Sequence, residues 1–231
     1  MSSAEVLAID EELKEEWQSL YHIGSISAAL VAIFIPIQII VFILFPPPAN
    51  ILEWFDLFQK NPAIGLLDMD LLLILDQVLL GIILLALYIN LRHIHHSYSL
   101  LSIVIGLMGI VAYFSSTIAF NMLTLSNDYA TATSVAEKAA IETSGRTLLT
   151  MWTGTAYTIG YILLGIAILL VSIVMTKSSV FGKTTAYVGI ATGILSLIPA
   201  SFGIIGMIFA FASLIPMEIW LIRISKSLAK L

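Results

Sequence analysis

The chain has 231 residues, of which 59% are hydrophobic and 11% are charged, and its mean hydropathy is +1.03. Soluble proteins contain about 25% charged residues, so this composition excludes an ordinary soluble fold and indicates a protein embedded in lipid. The net charge of −5 argues against a nucleic-acid partner, and the absence of cysteine excludes disulfides and thiolate metal sites.

Six apolar segments are long enough to approach the length of about 20 helical residues that crosses a bilayer. They cover residues 22–45, 69–91, 99–125, 148–175, 181–198 and 201–224. The last two are separated at Pro199, because a straight helix over 184–222 would be about 58 Å long, nearly twice the hydrocarbon thickness. We therefore expect an all-α, polytopic integral membrane protein with one six-helix transmembrane domain over residues 21–231.

The distribution of lysine and arginine predicts the orientation of these spans, because cytoplasmic loops carry an excess of both. Six spans place seven cationic residues on the side of the termini and three on the other side, whereas five spans give four against six. The sequence therefore favours six spans in the cell (plasma) membrane, with both termini in the cytoplasm.

Three further helices are predicted outside the spans. Residues 1–20 are acidic, with an apolar stripe that includes Trp17 and Leu20, and they predict an amphipathic cytoplasmic helix that packs under the bundle or docks a partner. Asn50 with Glu53, and Ser134 with Glu137, have the spacing of capping boxes, which begin helices. We expect Asn61-Pro62 to end the first of these two external helices and Gly145 to end the second.

The chain resembles a prokaryotic multi-pass membrane family called domain of unknown function 4386. The resemblance covers nearly everything after residue 20 and is carried by residues 66–88, 125–133 (LSNDYATAT), 154–157 (GTAY), 180–190 (VFGKTTAYVGI) and 215–220 (IPMEIW). It implies a six-helix integral membrane protein. It implies no activity, because no catalytic or binding residues are assigned to the family.

Asp76 is the clearest candidate for a functional residue, because an ionisable group deep in a span is costly and no Lys or Arg lies at a similar depth. Helical spacing places polar residues of other spans at a comparable level, on one face of each helix. The predicted cluster consists of Asp76, Gln77, Gln38, Thr117, Asn121, Thr153, Tyr157 and Tyr161. We expect it to lie in the outer leaflet and to bind a small or amphiphilic ligand.

Other interpretations of the same residues stay open. The polar side chains could serve only as hydrogen-bonding contacts between helices, as in a structural or accessory subunit of a membrane complex. Transport would need a polar path across the bilayer, but Leu79, Leu80, Ile83 and Leu87 follow Asp76 on its helix, so a pocket is favoured over a channel. An intramembrane enzyme is also left open, although no catalytic residue is predicted.

Two further groups of residues could carry chemistry. Glu218 is a second intramembrane acid near the inner end of the last span, where Arg223 could pair with it. His93, His95 and His96 are candidates for a metal site, although their spacing matches no defined motif and a solvated turn explains them as well. We expect no cofactor; the expected partners are membrane lipid and either another membrane protein or a second copy. Gly189 and Gly193 could allow close packing against a second copy, but packing within one bundle explains them equally well.

Overall fold

The computed structural model describes the backbone of residues 3–231 and the side chains of residues 17–231. Over that range the backbone forms helices and turns and no strand. Ten α-helices follow one another: α1 (Ser3–Leu44), α2 (Ile51–Lys60), α3 (Pro62–Met69), α4 (Leu71–Leu91), α5 (His96–Phe114), α6 (Ala119–Thr131), α7 (Val135–Trp152), α8 (Thr155–Met175), α9 (Lys183–Leu195) and α10 (Gly203–Leu228). A 3₁₀ turn at Ala200–Phe202 precedes α10.

Within the part of the chain that the structure describes, five helical segments are long and apolar enough to cross a membrane. They are Trp17–Leu44, Leu71–Leu91, His96–Thr131, Val135–Met175 and Ala200–Leu228. The predicted span 181–198 is not among them, because α9 has only 13 residues. At the rise of an α-helix this is a length of about 20 Å, shorter than the hydrocarbon core.

The N-terminal prediction falls mostly outside the described side chains. The backbone of α1 is one continuous helix, so no break separates residues 3–20 from the first apolar segment. The apolar stripe of this segment lies outside the described residues except for Trp17 and Leu20. The guanidinium of Arg92, at the end of α4, lies 5.7 Å from the centre of the Trp17 ring.

Six of the helices pack side by side in a closed order, which we call the main bundle. In it α1 contacts α4, and the contacts continue through α5, α8, α9 and α10 back to α1. Its buried core includes Ile83, Leu87, Val171, Trp220 and Ile224. The chain therefore surrounds a common interior in which side chains from distant segments meet.

The short helix α9 lies along α8 and is extended by the turn that follows it. Gly189 lies against Ser172 of α8 and Trp220 of α10, and Gly193 lies against Leu169. Beyond the helix, the hydroxyl of Ser201 hydrogen-bonds to that of Thr158 at 2.8 Å, near the first turn of α8. Together α9 and the turn thus follow α8 over about 20 Å between Ser172 and Thr158.

The remaining helices, α2, α3, α6 and α7, form a second packed unit at one end of the main bundle, which we call the cap. Its core consists of Ile51, Trp54, Phe55, Phe58, Met69, Ile118, Ala119 and Met122. Two glycines show how closely it packs: a Cβ on Gly65 would lie 2.8 Å from Phe58, and one on Gly145 would lie 2.5 Å from Ile51. We call the opposite end of the main bundle, where Arg223, Lys226 and Lys230 lie, the basic end.

Both predicted capping boxes are confirmed. Asn50 Oδ1 accepts from the backbone N–H groups of Leu52 and Glu53, both at 3.1 Å, and Ser134 Oγ accepts from the N–H of Glu137 at 3.1 Å. The predicted end at Gly145 is wrong, because α7 continues to Trp152. The glycine is needed there for close packing against α2 and not for ending a helix.

Two predicted spans contain breaks. The prediction 99–125 is interrupted after α5, which ends at Phe114, and the prediction 148–175 is interrupted at Thr153-Gly154, between α7 and α8. After Phe114 the hydroxyls of Ser116 and Thr117 donate to the carbonyls of Tyr113 and Phe114, at 2.6 and 2.9 Å. These local bonds satisfy backbone acceptors that a continuous helix would have used.

Candidate functional site

Two adjoining cavities lie in the half of the main bundle nearer the cap. One has a volume of about 370 Å³ and the other about 180 Å³. They share Asp76 and Gln77 of α4 and Tyr161 of α8, together with the apolar side chains Ile35, Leu73 and Leu214. We treat them as one site and call it the Asp76 cavity.

Four helices supply the polar lining of the larger cavity, and Thr192, Ser196 and Ser213 add hydroxyl groups to the smaller one. Gln38 comes from α1, Asp76 and Gln77 from the second turn of α4, Tyr113 from α5, and Tyr157 and Tyr161 from α8. The three tyrosine rings lie one after another, with centroids 5.8 Å apart from Tyr113 to Tyr157 and 6.1 Å apart from Tyr157 to Tyr161. One aromatic wall therefore runs along the cavity beside the carboxyl group.

Three oxygen atoms of this lining are buried without a hydrogen-bond partner among residues 17–231: Asp76 Oδ1, Gln77 Oε1 and Gln38 Oε1. The amide nitrogen of Gln38 donates to the Leu67 carbonyl at 3.3 Å, which turns its oxygen away from that carbonyl. An unpaired buried polar atom costs about 1–3 kcal/mol. All three atoms are acceptors, and no group of the described residues donates a hydrogen bond to them.

The cavity also lacks a positive charge. Within the described part of the chain, no Lys, Arg or His lines it, and the two ion pairs found there, Lys60–Asp56 and Arg146–Glu142, both join exposed or partly exposed side chains of the cap. An ionised Asp76 would thus have no counter-ion from the described residues.

Apolar side chains control access to the cavity. Met207 and Phe211 of α10 line it and are also 46% and 63% exposed on the outer surface of the bundle, so the cavity reaches that surface between α1 and α10. Toward the basic end, Ile83, Leu84 and Leu87 of α4 are almost completely buried. Along α4, apolar side chains therefore fill the interior between the cavity and the basic end.

The structure brings together five of the eight predicted residues: Gln38, Asp76, Gln77, Tyr157 and Tyr161. Tyr113 joins them. Thr117, Asn121 and Thr153 do not line the cavity. Their predicted positions assumed continuous helices, and the breaks after Phe114 and at Thr153-Gly154 rotate them off the shared face.

The three predicted site residues that do not line the cavity lie elsewhere in the structure. Thr117 bonds to its own helix end, Thr153 is exposed, and Asn121 lies in an exposed groove of about 620 Å³ between α6 and α7, with Thr124, Ser144 and Thr147. This groove lies on the cap and does not adjoin Asp76.

Asp70, which no sequence pattern singles out, joins the cap to the main bundle. Its Oδ2 accepts from the backbone N–H groups of Ile118 and Ala119 at 2.6 and 2.9 Å, and its Oδ1 accepts from the indole of Trp152 at 2.8 Å. Asp70 precedes α4 but does not cap it; it caps α6 instead. No local pattern could reveal a cap supplied by a residue 48 positions away.

A second buried acid is Asp68 in α3, outside the five apolar segments. It is completely buried, and neither carboxyl oxygen has a partner among the described side chains. Burial raises the pKa of Asp68 from 3.8 to about 6, because it penalises the charged form.

The two other predicted groups do not form paired or clustered sites. Glu218 makes no ion pair with Arg223, whose Nε donates to Thr185 Oγ1 at 3.1 Å instead. His95 caps α5 through a 3.4 Å bond from the Tyr98 N–H and stacks on that ring, with centroids 4.2 Å apart. Between residues 17 and 231, no three His, Asp or Glu side chains are placed to share a metal ion.

The comparisons with known proteins give a family and no activity. No curated protein and no solved structure matches the chain. One protein family matches residues 19–224, which confirms the resemblance seen in the sequence and extends over both the main bundle and the cap. The chain belongs to this family, which is described as a domain of unknown function (DUF4386).

Proposed function

We propose that this protein crosses the membrane six times, with both termini in the cytoplasm, and binds a small amphiphilic ligand in the Asp76 cavity. The observation that carries the binding proposal is the set of three buried, unpaired acceptor oxygens on Gln38, Asp76 and Gln77. A bound group with several N–H donors would satisfy them.

The ligand is best described as an amine with an apolar tail. A protonated amine supplies the positive charge that the cavity lining lacks, and it can lie over the faces of Tyr157 and Tyr161. The apolar tail would lie toward Met207 and Phe211, at the opening between α1 and α10. The larger cavity falls within the range of about 300–1,000 Å³ that small-molecule sites occupy.

The six-pass topology is supported by the path of α9. This helix and the turn at Ala200–Phe202 follow α8 over most of its length, and an extra pass there keeps the basic residues of the C-terminus on the side predicted from the charges. The cap then lies on the external side, over the cavity.

The binding proposal can be tested on the protein purified in maltoside micelles. Dodecylamine is titrated while the thermal unfolding temperature is recorded, with dodecanol as the uncharged probe of equal chain length. We expect dodecylamine to stabilise the protein and the Asp76→Asn variant to bind it at least about tenfold more weakly, a loss of about 1.4 kcal/mol.

The matched control is Asp128→Asn, which removes the same charge from an exposed position in α6. It should leave dodecylamine binding unchanged. Equal stabilisation by dodecylamine and dodecanol, or equal binding by both variants, would show that the polar residues only connect helices, as in an accessory subunit.

The topology can be tested with a membrane-impermeant maleimide, because the chain has no native cysteine. We expect Ala136→Cys in α7 and Ser201→Cys in the turn before α10 to react from outside intact cells. Ser179→Cys between α8 and α9, and Ala229→Cys at the C-terminus, should react only after permeabilisation. External labelling of Ala229→Cys would contradict the six-pass topology.

A further inference from the structure

A groove at the basic end of the main bundle has the chemistry of a binding site for an anion, and its lining shares no residue with the Asp76 cavity. It lies between the start of α9 and the last turns of α10 and has a volume of about 450 Å³. Its lining includes Arg223, Lys226 and Lys230, and no Asp or Glu among residues 17–231 contributes to it. We call it the basic groove.

The cationic groups of the groove are available for a ligand. Arg223 makes one hydrogen bond, from Nε to Thr185 Oγ1, which leaves both Nη groups without a partner in the described side chains. One of them, Nη2, lies beside Gly182, where α9 begins without a side-chain cap. Lys226 and Lys230 are exposed and are in neither ion pair of the described residues.

An apolar track leads from the groove up the same face of α10. Phe211, Ile215, Ile219 and Ile222 are 63%, 70%, 43% and 39% exposed. Phe211 also lines the opening of the Asp76 cavity, so the track ends where that cavity begins. These four side chains are followed at helical spacing by Lys226 and Lys230, so the apolar and basic residues share one stripe. From Phe211 to Ile222 the track is about 16 Å long, close to half the hydrocarbon thickness of about 30 Å.

We propose that the basic groove and this track bind one anionic phospholipid, with its phosphate among Arg223, Lys226 and Lys230 and an acyl chain along the isoleucines. A soluble phosphate would use only the groove and would leave the apolar track unexplained. The track is about as long as the hydrocarbon part of one leaflet is thick, and this match favours a lipid over a soluble anion. Binding of this lipid does not depend on the Asp76 ligand and requires only that α10 lies in a bilayer.

The test uses native mass spectrometry on the full-length protein released from nanodiscs that contain equal amounts of phosphatidylglycerol and phosphatidylcholine with identical acyl chains. We expect preferential retention of one phosphatidylglycerol. The double variant Lys226→Gln/Lys230→Gln should reduce that preference at least fivefold, and adding Arg223→Gln should remove it. The double variant keeps the bond between Arg223 and Thr185, so its fold should be intact.

The matched control is Lys60→Gln/Lys138→Gln/Arg146→Gln, which removes three positive charges from the cap. It should change the preference less than twofold. Equal loss in the control, or equal retention of both lipids by the unmodified protein, would overturn the proposal. Displacement of the lipid by 10 mM inorganic phosphate would also overturn it, since a bare anion would then be the preferred ligand. The Asp76→Asn variant should keep the lipid preference, so the two sites can fail separately.

Discussion

Asp70 and Asp76 lie at the same end of α4, yet their surroundings are opposite. Asp70 accepts three hydrogen bonds, from two backbone N–H groups of the cap and one indole, whereas Asp76 has a buried oxygen with no partner in the described chain. A buried carboxylate that accepts all its hydrogen bonds from the protein connects parts of the structure. A buried carboxylate without such donors is stabilised only when a bound ligand provides them, and for this reason we place the ligand at Asp76.

The largest expected effect comes from removing the carboxylate of Asp70 and the three hydrogen bonds that it accepts. Asp70→Ala leaves the N–H groups of Ile118 and Ala119 and the Trp152 indole without their acceptor, and each unpaired buried group costs about 1–3 kcal/mol. We expect a loss of about 3 kcal/mol in the free energy of unfolding, measured by denaturation in maltoside. Asp128→Ala is the control on the exposed surface of α6; a loss below 1 kcal/mol for Asp70→Ala would contradict the structural role.

Asp68 extends the comparison to an acid that has no donors and lies in the cap. In the folded protein the pKa of Asp68 is about 6, above its ordinary value of 3.8. Ionisation of Asp68 therefore does not lower the stability below pH 3.8, but it destabilises the fold as the pH rises through 6. Asp68→Asn should therefore stabilise the protein by up to about 3 kcal/mol at pH 8 and by less than about 1 kcal/mol at pH 4. Thermal unfolding from pH 4 to pH 8 measures this; a benefit independent of pH would refute the assignment.

Asp76→Asn should have an effect opposite in sign to that of Asp70→Ala. Without ligand, replacing an acid that has no counter-ion by a neutral amide should stabilise the protein by about 1 kcal/mol, although the same substitution weakens amine binding. The measurement is the unfolding temperature with and without dodecylamine. A destabilised Asp76→Asn protein would show that the fold itself supplies donors to this carboxyl group.

The smallest expected effect compares two glutamines, one in the cap with hydrogen-bond partners and one in the cavity without a partner for its oxygen. Gln59 in the cap donates to Ser126 Oγ and Asn127 Oδ1, both at 3.0 Å, whereas the oxygen of Gln77 in the cavity is unpaired. Gln59→Leu should cost about 1 kcal/mol, and Gln77→Leu about zero. Equal costs in denaturation experiments would mean that the cavity and the cap satisfy their polar groups equally well.

Local patterns were sufficient for the apolar segments and the helix starts. The apolar runs around Asp76 and Tyr161 predict helices of the observed kind, and Asn50 and Ser134 begin helices because a side-chain acceptor near the N-terminus satisfies the first N–H groups. These features depend on residues within a few positions of one another, so the sequence contains everything that determines them.

The errors had two sources. The breaks after Phe114 and at Gly154 are short polar interruptions within long apolar runs, so Thr117, Asn121 and Thr153 were placed on helix faces that do not exist. Gly145 was read as a helix end because its real reason, contact with Ile51 of another helix, cannot be seen from its neighbours.

The sequence by itself determined that the chain is helical and apolar, that several of its segments are long and apolar enough to cross a membrane, and that Asp76 is an unusual residue. Only the tertiary structure decided which polar groups are paired, because donors and acceptors such as Asp70 and the Ile118 N–H come from segments far apart in the chain. The free energy of a buried polar atom depends on partners a few ångströms away in space, and packing alone brings those partners together.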